Sequence, residues 1–386
     1  MNKDRSKKSE RAKKIEKTLK PLRYIDYTLL FIILFLLAFG LIMVYSTSAY
    51  MAGIKLGDQS FYFRRQMLTS GIGLFVMVFL ARVDYRVWKK LYGLIYFAGL
   101  MLCILVAIPG IGIEYNGSRR WLGIGPFTVQ PSEIAKIAVL IFVAAVVSNI
   151  PKGINDFKRV CAVIFSIIPI FGLVAYTNLS NGIIIMAITI IIIFVASKKY
   201  MQFFAAGGIL VAGGILFITM ADYRMARIQA WLHPEDVENG YQTLQGLYAI
   251  GSGGLFGKGL GNSMQKLGFV PEAQNDMIFS IICEELGLFG AISIIILFLL
   301  MIWRLMVIAV SAKDLFGSLI AAGVMGHIAT QVILNIAVVT NTIPNTGISL
   351  PFISYGGTSV IFLLAEMGLA LSVARGIKLE NSEVSS

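Results

Sequence analysis

Apolar positions in this chain fall in long uncharged runs rather than in alternation, and the runs have bilayer length. Tyr27 to Tyr45 carries no charge over 19 positions, about 66–81 and 91–108 are likewise uncharged, and about 132–150 is apolar apart from Glu133 and Lys136. A membrane-crossing helix needs about 20 mostly apolar residues, so each stretch predicts one span. Val160 to Ser197 is uncharged over 38 residues. At about 1.5 Å per residue that is about 57 Å, too long for one crossing of a core about 30 Å thick. The polar string from Thr177 to Asn181 marks the fold-back, giving spans five and six. Residues 201–221 predict a seventh span, and 277–303 an eighth that contains Glu284 and Glu285. Leu315 to Ala365 is uncharged over 51 residues and is interrupted by Pro344 and Pro351, which divides it into spans nine and ten. The pattern predicts an all-α polytopic membrane protein of ten helices.

Composition agrees. Of 386 residues, 57% are apolar and 14% charged, against roughly a quarter charged in a soluble fold. The net charge of +12 does not point to nucleic acid, because ten of the 33 basic residues crowd into the first 23 positions. Residues 1–23 therefore read as a basic cytoplasmic tail beside an anionic leaflet. Residues 24–376 are the membrane domain, and 377–386 a second cytoplasmic tail. With both termini inside, the inner segments carry 23 lysines and arginines and the outer loops nine, the bias that orients membrane proteins. The same orientation makes 222–276 a long extracytoplasmic loop between spans seven and eight. The first run exceeds a secretory h-region of about 7–15 residues, so it reads as an uncleaved helix, although Ser46 to Ala49 is weakly cleavage-like. Cys103, Cys161 and Cys283 form no CxxC. With only His233 and His327 besides, neither a disulfide framework nor a His-based metal centre is indicated.

Charges inside spans are costly and mark sites or packing pairs. Glu133 and Lys136 stand three apart and share a helix face; they read either as a buried ion pair or as the wall of an outward groove. Asp276 opens span eight, where an aspartate can cap a helix. Glu284 lies about 12 Å deeper on a similar face, too far for direct contact along a continuous helix. Glu284 and Glu285, being adjacent, cannot face one neighbour, so at least one is expected to cap backbone groups or to meet a base of another span. Glu366, in span ten, also needs a partner. Outward strings rich in glycine and polar residues run from Asn116 to Leu122, Gln130 to Glu133, Gly240 to Gln242, Ala249 to Gly254 and Leu350 to Gly357. Glycine permits close backbone approach to a ligand, or simply re-entrant turns at helix ends.

Together these strings, with Pro271 to Gly287, resemble the SEDS family (shape, elongation, division and sporulation) from about Tyr24 to Arg375. The resemblance implies a peptidoglycan glycosyltransferase that polymerises lipid II into β-1,4 glycan at the outer face of the bacterial cell membrane. Its implied partners are lipid II, the growing glycan strand, membrane lipid, a class B penicillin-binding protein and other divisome proteins, with enrichment at the septum. The family's essential aspartate corresponds to Asp276. Gln274, Asn275 and Met277 depart from the family's usual His, Thr and Phe, and the string from Asn178 to Asn181 is a weakened version of its pattern. Ala273 is nearer the division and sporulation branches than the elongation branch.

In that reading Asp276 takes the acceptor's proton, while Glu114, Arg119, Arg120, Gln130, Ser132, Glu133, Lys136, Gln242, Lys258, Lys266, Glu272 and Ser354 hold substrate. Arg224 and Arg227 are further outer cations. A leaving lipid diphosphate calls for cations or a divalent metal, Mg or Mn. The competing reading is a lipid II flippase, for which the intramembrane charges would form a headgroup path.

Overall fold

A computed structural model describes residues 26–377 except 116–117, 125–126, 152, 200–227, 230 and 236–239. Both tails, the seventh span at 201–221, Arg224 and Arg227 therefore lie outside the described residues. Nine long helices build the membrane body among those described: α1 (Tyr27–Leu56), α2 (Phe61–Arg82), α3 (Arg86–Ala107), α4 (Pro131–Asn149), α5 (Phe157–Thr177), α6 (Leu179–Ala196), α8 (Ile278–Ser311), α9 (Leu315–Val339) and α10 (Ser359–Arg375). A shorter helix, α7 (Tyr241–Ser252), lies within the segment between the seventh span and α8. Eight of the nine are long and apolar enough to cross a bilayer by length and composition. α10 has 17 residues and is buried along most of its length. The chain is thus a multi-pass membrane protein, as the runs predict.

Polar residues set the helix ends. Asp26 caps α1 by accepting from Leu29 N at 2.9 Å, and Arg304 of α8 meets the same carboxylate at 2.7 Å. This pair ties the start of α1 to the last turns of α8. α1 runs past Tyr45 to Leu56, beyond the predicted end. Thr47 and Ser48 do not break it, because their hydroxyls donate back to Met43 O at 2.8 Å and Val44 O at 2.6 Å. α1 stops at Gly57, whose left-handed φ of 70° suits glycine. Asn178 ends α5 and caps α6 through its side chain, so the fold-back falls within the predicted polar string.

The helical body carries one small addition. Between α3 and α4 the chain forms a three-stranded antiparallel sheet, β1 (Gly112–Tyr115), β2 (Ser118–Ile124) and β3 (Phe127–Val129). β1 and β3 have only four and three residues, and β2 does not alternate apolar with polar positions.

α8 is broken at Gly287, whose φ of 66° and ψ of −166° only glycine adopts readily. A break inside a membrane frees backbone groups that must find partners. The chain after α7 supplies them. Lys258 N and Gly259 N donate to Glu284 O and Glu285 O, both at 2.9 Å, while Leu288 N and Phe289 N reach back to Gly254 O and Leu255 O at 2.9 and 3.1 Å. Such contact excludes side chains: a Cβ on Gly253 would lie 1.9 Å from Cys283 O, and one on Gly257 2.2 Å from Glu285 O. The glycine string after Ala249 therefore packs a re-entrant segment against a broken helix.

Candidate active site

Three loops meet above the bundle, held together through backbone carbonyls. Tyr355 N donates to Gln274 O at 2.8 Å, joining the 350–358 loop to the segment that carries Asp276. Buried Gln66 donates to Ser354 O at 3.3 Å and accepts from Gly356 N at 3.4 Å. Thr358 donates to Thr128 O of β3 at 2.8 Å. Glu272 and Phe352 adopt left-handed φ values of 53° and 63°, local strain of the kind that collects at functional sites.

The loops enclose a cavity of about 760 Å³. Its walls are Thr47, Ser48, Met51 and Lys55 of α1, Tyr62, Arg65 and Thr69 of α2, Ile113, Trp121 and Thr128 of the sheet, the 268–275 segment, and Tyr355 to Thr358. Tyr62 and Tyr355 meet edge to face at 4.9 Å. Lys55, Arg65 and Lys266 bring positive charge to the walls, and Glu272 one negative charge.

Asp276 follows the wall segment directly. Its carboxylate accepts from Gln242 Nε2 at 3.4 Å, and Gln242 Oε1 accepts from Asn345 Nδ2 at 3.2 Å. Burial pushes the carboxyl up to about 7, and the negative charge of Glu272 adds to the rise. The backbone N–H groups of Asp276 and Met277 and the Gln242 amide pull the other way. A carboxylate held near neutrality is suited to accept a proton at physiological pH.

The residues proposed for substrate contact separate into groups. Lys266 and Glu272 line the cavity, and Gln242 touches Asp276. Glu114 and Arg119 instead pair with each other across β1 and β2 at 3.2 Å, in exposed positions outside the lining. Arg120, Gln130 and Ser132 border a separate crevice of about 10 Å³, room for about one water. There Ser132 accepts from Asn181 at 2.9 Å. Glu133 and Lys136 form a buried ion pair at 2.9 Å, with side chains 6% and 1% exposed, and Ser359 donates to Glu133 at 2.9 Å. Neither residue is among those that line the cavity. Ser354 is buried and accepts from Leu350 N at 2.7 Å, closing a turn.

Lys258 and Lys266 are committed to the glutamates of α8. Lys258 pairs with Glu284 and Lys266 with Glu285, each at 2.7 Å. Glu284 also accepts from Met264 N and Gln265 N at 3.2 and 3.3 Å, so it caps backbone groups as expected. The bases come from the re-entrant segment rather than from another span. Glu366 finds His327 at 2.7 Å. Sequence reasoning passed over Lys55 and Arg65. Lys55 lies in the last turn of α1 and Arg65 near the start of α2; in sequence both fall in the 47–66 segment read as an outer loop, against the inward bias of positive charge, and that violation was the available signal.

Among the described residues no group of three or more His, Cys, Asp or Glu side chains gathers to hold a metal. A Mg ion carried by a diphosphate needs only one or two protein carboxylates, and Glu272 is the carboxylate on the cavity wall.

The comparisons converge. The model of a family described as "Cell cycle protein", covering FtsW, RodA and SpoVE, matches residues 27–379. Stage V sporulation protein E of Bacillus subtilis is 43% identical over 356 residues, spanning 91% of this chain and 97% of that protein. A probable peptidoglycan glycosyltransferase FtsW of Trichlorobacter lovleyi is 35% identical over 371 residues, spanning 93% and 96%. A chain from a peptidoglycan synthase complex, solved to show how polymerization and crosslinking are coordinated, superposes with a TM-score of 0.76 at 25% identity, covering 91% of this chain and 98% of that one. RodA of Thermus thermophilus gives a TM-score of 0.66 at 25% identity, covering 94% and 100%.

Proposed function

This chain belongs to the FtsW, RodA and SpoVE family of cell cycle proteins, and from that premise we propose how it works as a peptidoglycan glycosyltransferase. It polymerises lipid II at the outer membrane face, with Asp276 as the general base. The observation that carries this reading is a carboxyl raised to about 7 at the edge of a cavity lined by Lys55 and Arg65. Asp276 takes the proton from the acceptor sugar's 4-hydroxyl as that oxygen attacks the donor's anomeric carbon. The anomeric C–O bond to the lipid diphosphate breaks, and the diphosphate leaves with the electron pair. Lys55 and Arg65 stabilise the charge that develops on it. A divalent cation arriving with the diphosphate would find Glu272 as a protein donor and would add to that stabilisation. The apolar outer halves of the helices leave both polyprenyl tails in lipid.

The pairing of the intramembrane charges favours polymerisation over transport. Glu133, Glu284, Glu285 and Glu366 are each matched to a base, which leaves no run of open charge among the described residues to carry a headgroup inward. A class B penicillin-binding protein is the partner, both termini are cytoplasmic, and the reaction serves septal synthesis. The test uses purified protein with lipid II. Asp276→Asn should abolish glycan chains on a gel while folding and insertion persist. Wild-type polymerisation by that variant would overturn the general-base role; a capping role is not the alternative, because the cap position of α8 is Met277, with no side-chain cap bond. Headgroup translocation without polymer by the wild type would favour the flippase.

A further inference from the structure

α9 carries a column of buried polar side chains at four-residue spacing, His327, Gln331 and Asn335, 1%, 3% and 0% exposed. Residues four apart share one helix face. Each reaches a different target. His327 meets Glu366 in the bundle, and Gln331 donates to Ser349 O at 2.9 Å. Asn335 uses its amide nitrogen twice, donating to Ile348 O at 2.7 Å and to Asp276 O at 2.8 Å. Both amide hydrogens are thereby consumed, one by each loop.

Those loops also touch where the chemistry lies. A Cβ added to Gly347 would stand 3.8 Å from Asp276 Oδ2, so the turn next to Ile348 lies against the carboxylate. Gly347 holds a left-handed φ of 66°, and its N–H is taken by Asn345 Oδ1 at 3.1 Å. Asn335 thus fixes the backbone of Asp276 and the backbone packed on its side chain with one rigid group. We propose that Asn335 is a positioning residue for Asp276, which it locks against the Gly347 turn by bridging two main-chain carbonyls. The proposal rests on Asp276 being the general base.

Without the bridge the Asp276 peptide can rotate and the Gly347 turn can lift. Two consequences follow. The carboxylate leaves its reactive geometry, where misplacement by about 1 Å can lower a rate about a hundredfold. It also gains water, so its pKa falls back toward the ordinary carboxylate range. Among the described residues Glu272 is the charged group acting on Asp276 from its own segment. The groups facing it from α7, the 345–348 turn and α9 are Gln242, Asn345, Gly347 and Asn335, all uncharged. The carboxylate's response therefore reports solvent access rather than a lost ion pair.

The experiment measures glycan polymerisation by the full-length protein against pH, with lipid II as substrate, for Asn335→Leu, Asn335→Ser, Gln331→Leu and Asp276→Asn. Leucine matches the shape of asparagine without donors. Serine can bond back to its own helix, so it folds without reaching either loop. Both Asn335 variants should lose at least tenfold in kcat with KM within about threefold, and their acid limb should move at least half a pH unit lower. Gln331→Leu clamps out only Ser349, so its limb should stay in place. Unchanged limbs in both Asn335 variants, with activity lost only in proportion to folded protein, would overturn the positioning role. Wild-type activity in Asp276→Asn would instead remove the general base, an outcome separate from either result.

Discussion

Lys258→Met and Lys266→Met remove equivalent ion pairs by distance, yet they should differ sharply in stability. Each ammonium lies 2.7 Å from its glutamate. At an effective dielectric constant of about 20, each attraction is about 6 kcal/mol before desolvation, so Coulomb's law alone predicts no difference. The surroundings decide. Without Lys258, Glu284 keeps Ser263 Oγ, Met264 N at 3.2 Å, Gln265 N at 3.3 Å and Ser252 Oγ at 3.4 Å. Hydrogen bonds to a charged group contribute about 1.5–3 kcal/mol each, and Lys258 is 35% exposed, so water can enter in its place. Without Lys266, Glu285 keeps a single hydroxyl, Ser46 Oγ at 2.8 Å, in a site where the lysine side chain is 7% and the carboxylate 0% exposed. A buried charge stripped of its partner costs about 3–5 kcal/mol. The Lys258 variant should cost about 1–2 kcal/mol. The gap of about 2 kcal/mol is more than a tenfold change in the folded-to-unfolded ratio.

Unfolding midpoints in detergent, by heat and by SDS titration, measure this directly. A Glu285→Gln/Lys266→Met double variant should recover most of the loss, because no bare charge then remains. Equal midpoints for the two lysine variants, or a double variant as weak as Lys266→Met alone, would refute the reasoning. Either would mean that water reaches Glu285 in spite of its burial.

Lys136→Met should likewise lower folded yield, and Glu133→Gln/Lys136→Met should restore both folding and polymerisation; restored folding without polymerisation would return Lys136 to the substrate. Gly257→Ala must place a Cβ 2.2 Å from Glu285 O at a φ of +77°, and should cost about 2–4 kcal/mol in the same unfolding assay. The wild-type rate should fall as pH drops through about 7, because Asp276 must be deprotonated to act and its carboxyl is raised to about 7; a limb near 4 would show an unperturbed carboxylate. In a cysteine-free background, a cysteine at Asn262 should react with an impermeant thiol reagent from outside the cell, and labelling only from the cytoplasm would refute the orientation.

The helices were legible because a bilayer imposes one length and one polarity, both readable from uncharged runs. The fold-back at Asn178 was legible for the same reason: 38 uncharged residues cannot cross once. The sheet was not, since β1 and β3 have only four and three residues and β2 does not alternate apolar with polar positions. The candidate site was legible in part. Asp276 stands out through its motif, and Glu133 with Lys136 through their spacing. The partners of Glu284, Glu285 and Glu366 lie 19 to 39 residues away in sequence, and no helical periodicity links them. Asn335 looks like an ordinary polar residue in an apolar run until its two carbonyl partners are seen.

The bases in the long outer loop look like substrate ligands in sequence for a reason the fold makes plain. Asp276 stands eight residues before Glu284, about two turns of helix. The start of α8 must therefore be fixed if the base is to hold its place. Gly287 interrupts that helix three residues beyond Glu284, so its own hydrogen-bond ladder cannot anchor the outer turns. The anchoring comes from outside the helix. Four main-chain bonds from the 254–259 segment cross the break, and Lys258 and Lys266 hold the two glutamates that precede it. A catalytic carboxylate and two charge pairs with no chemical step of their own are thus joined by geometry. Motifs that cluster in sequence around Asp276 mix groups that meet substrate with groups that keep a broken helix rigid, and only the three-dimensional partners separate them.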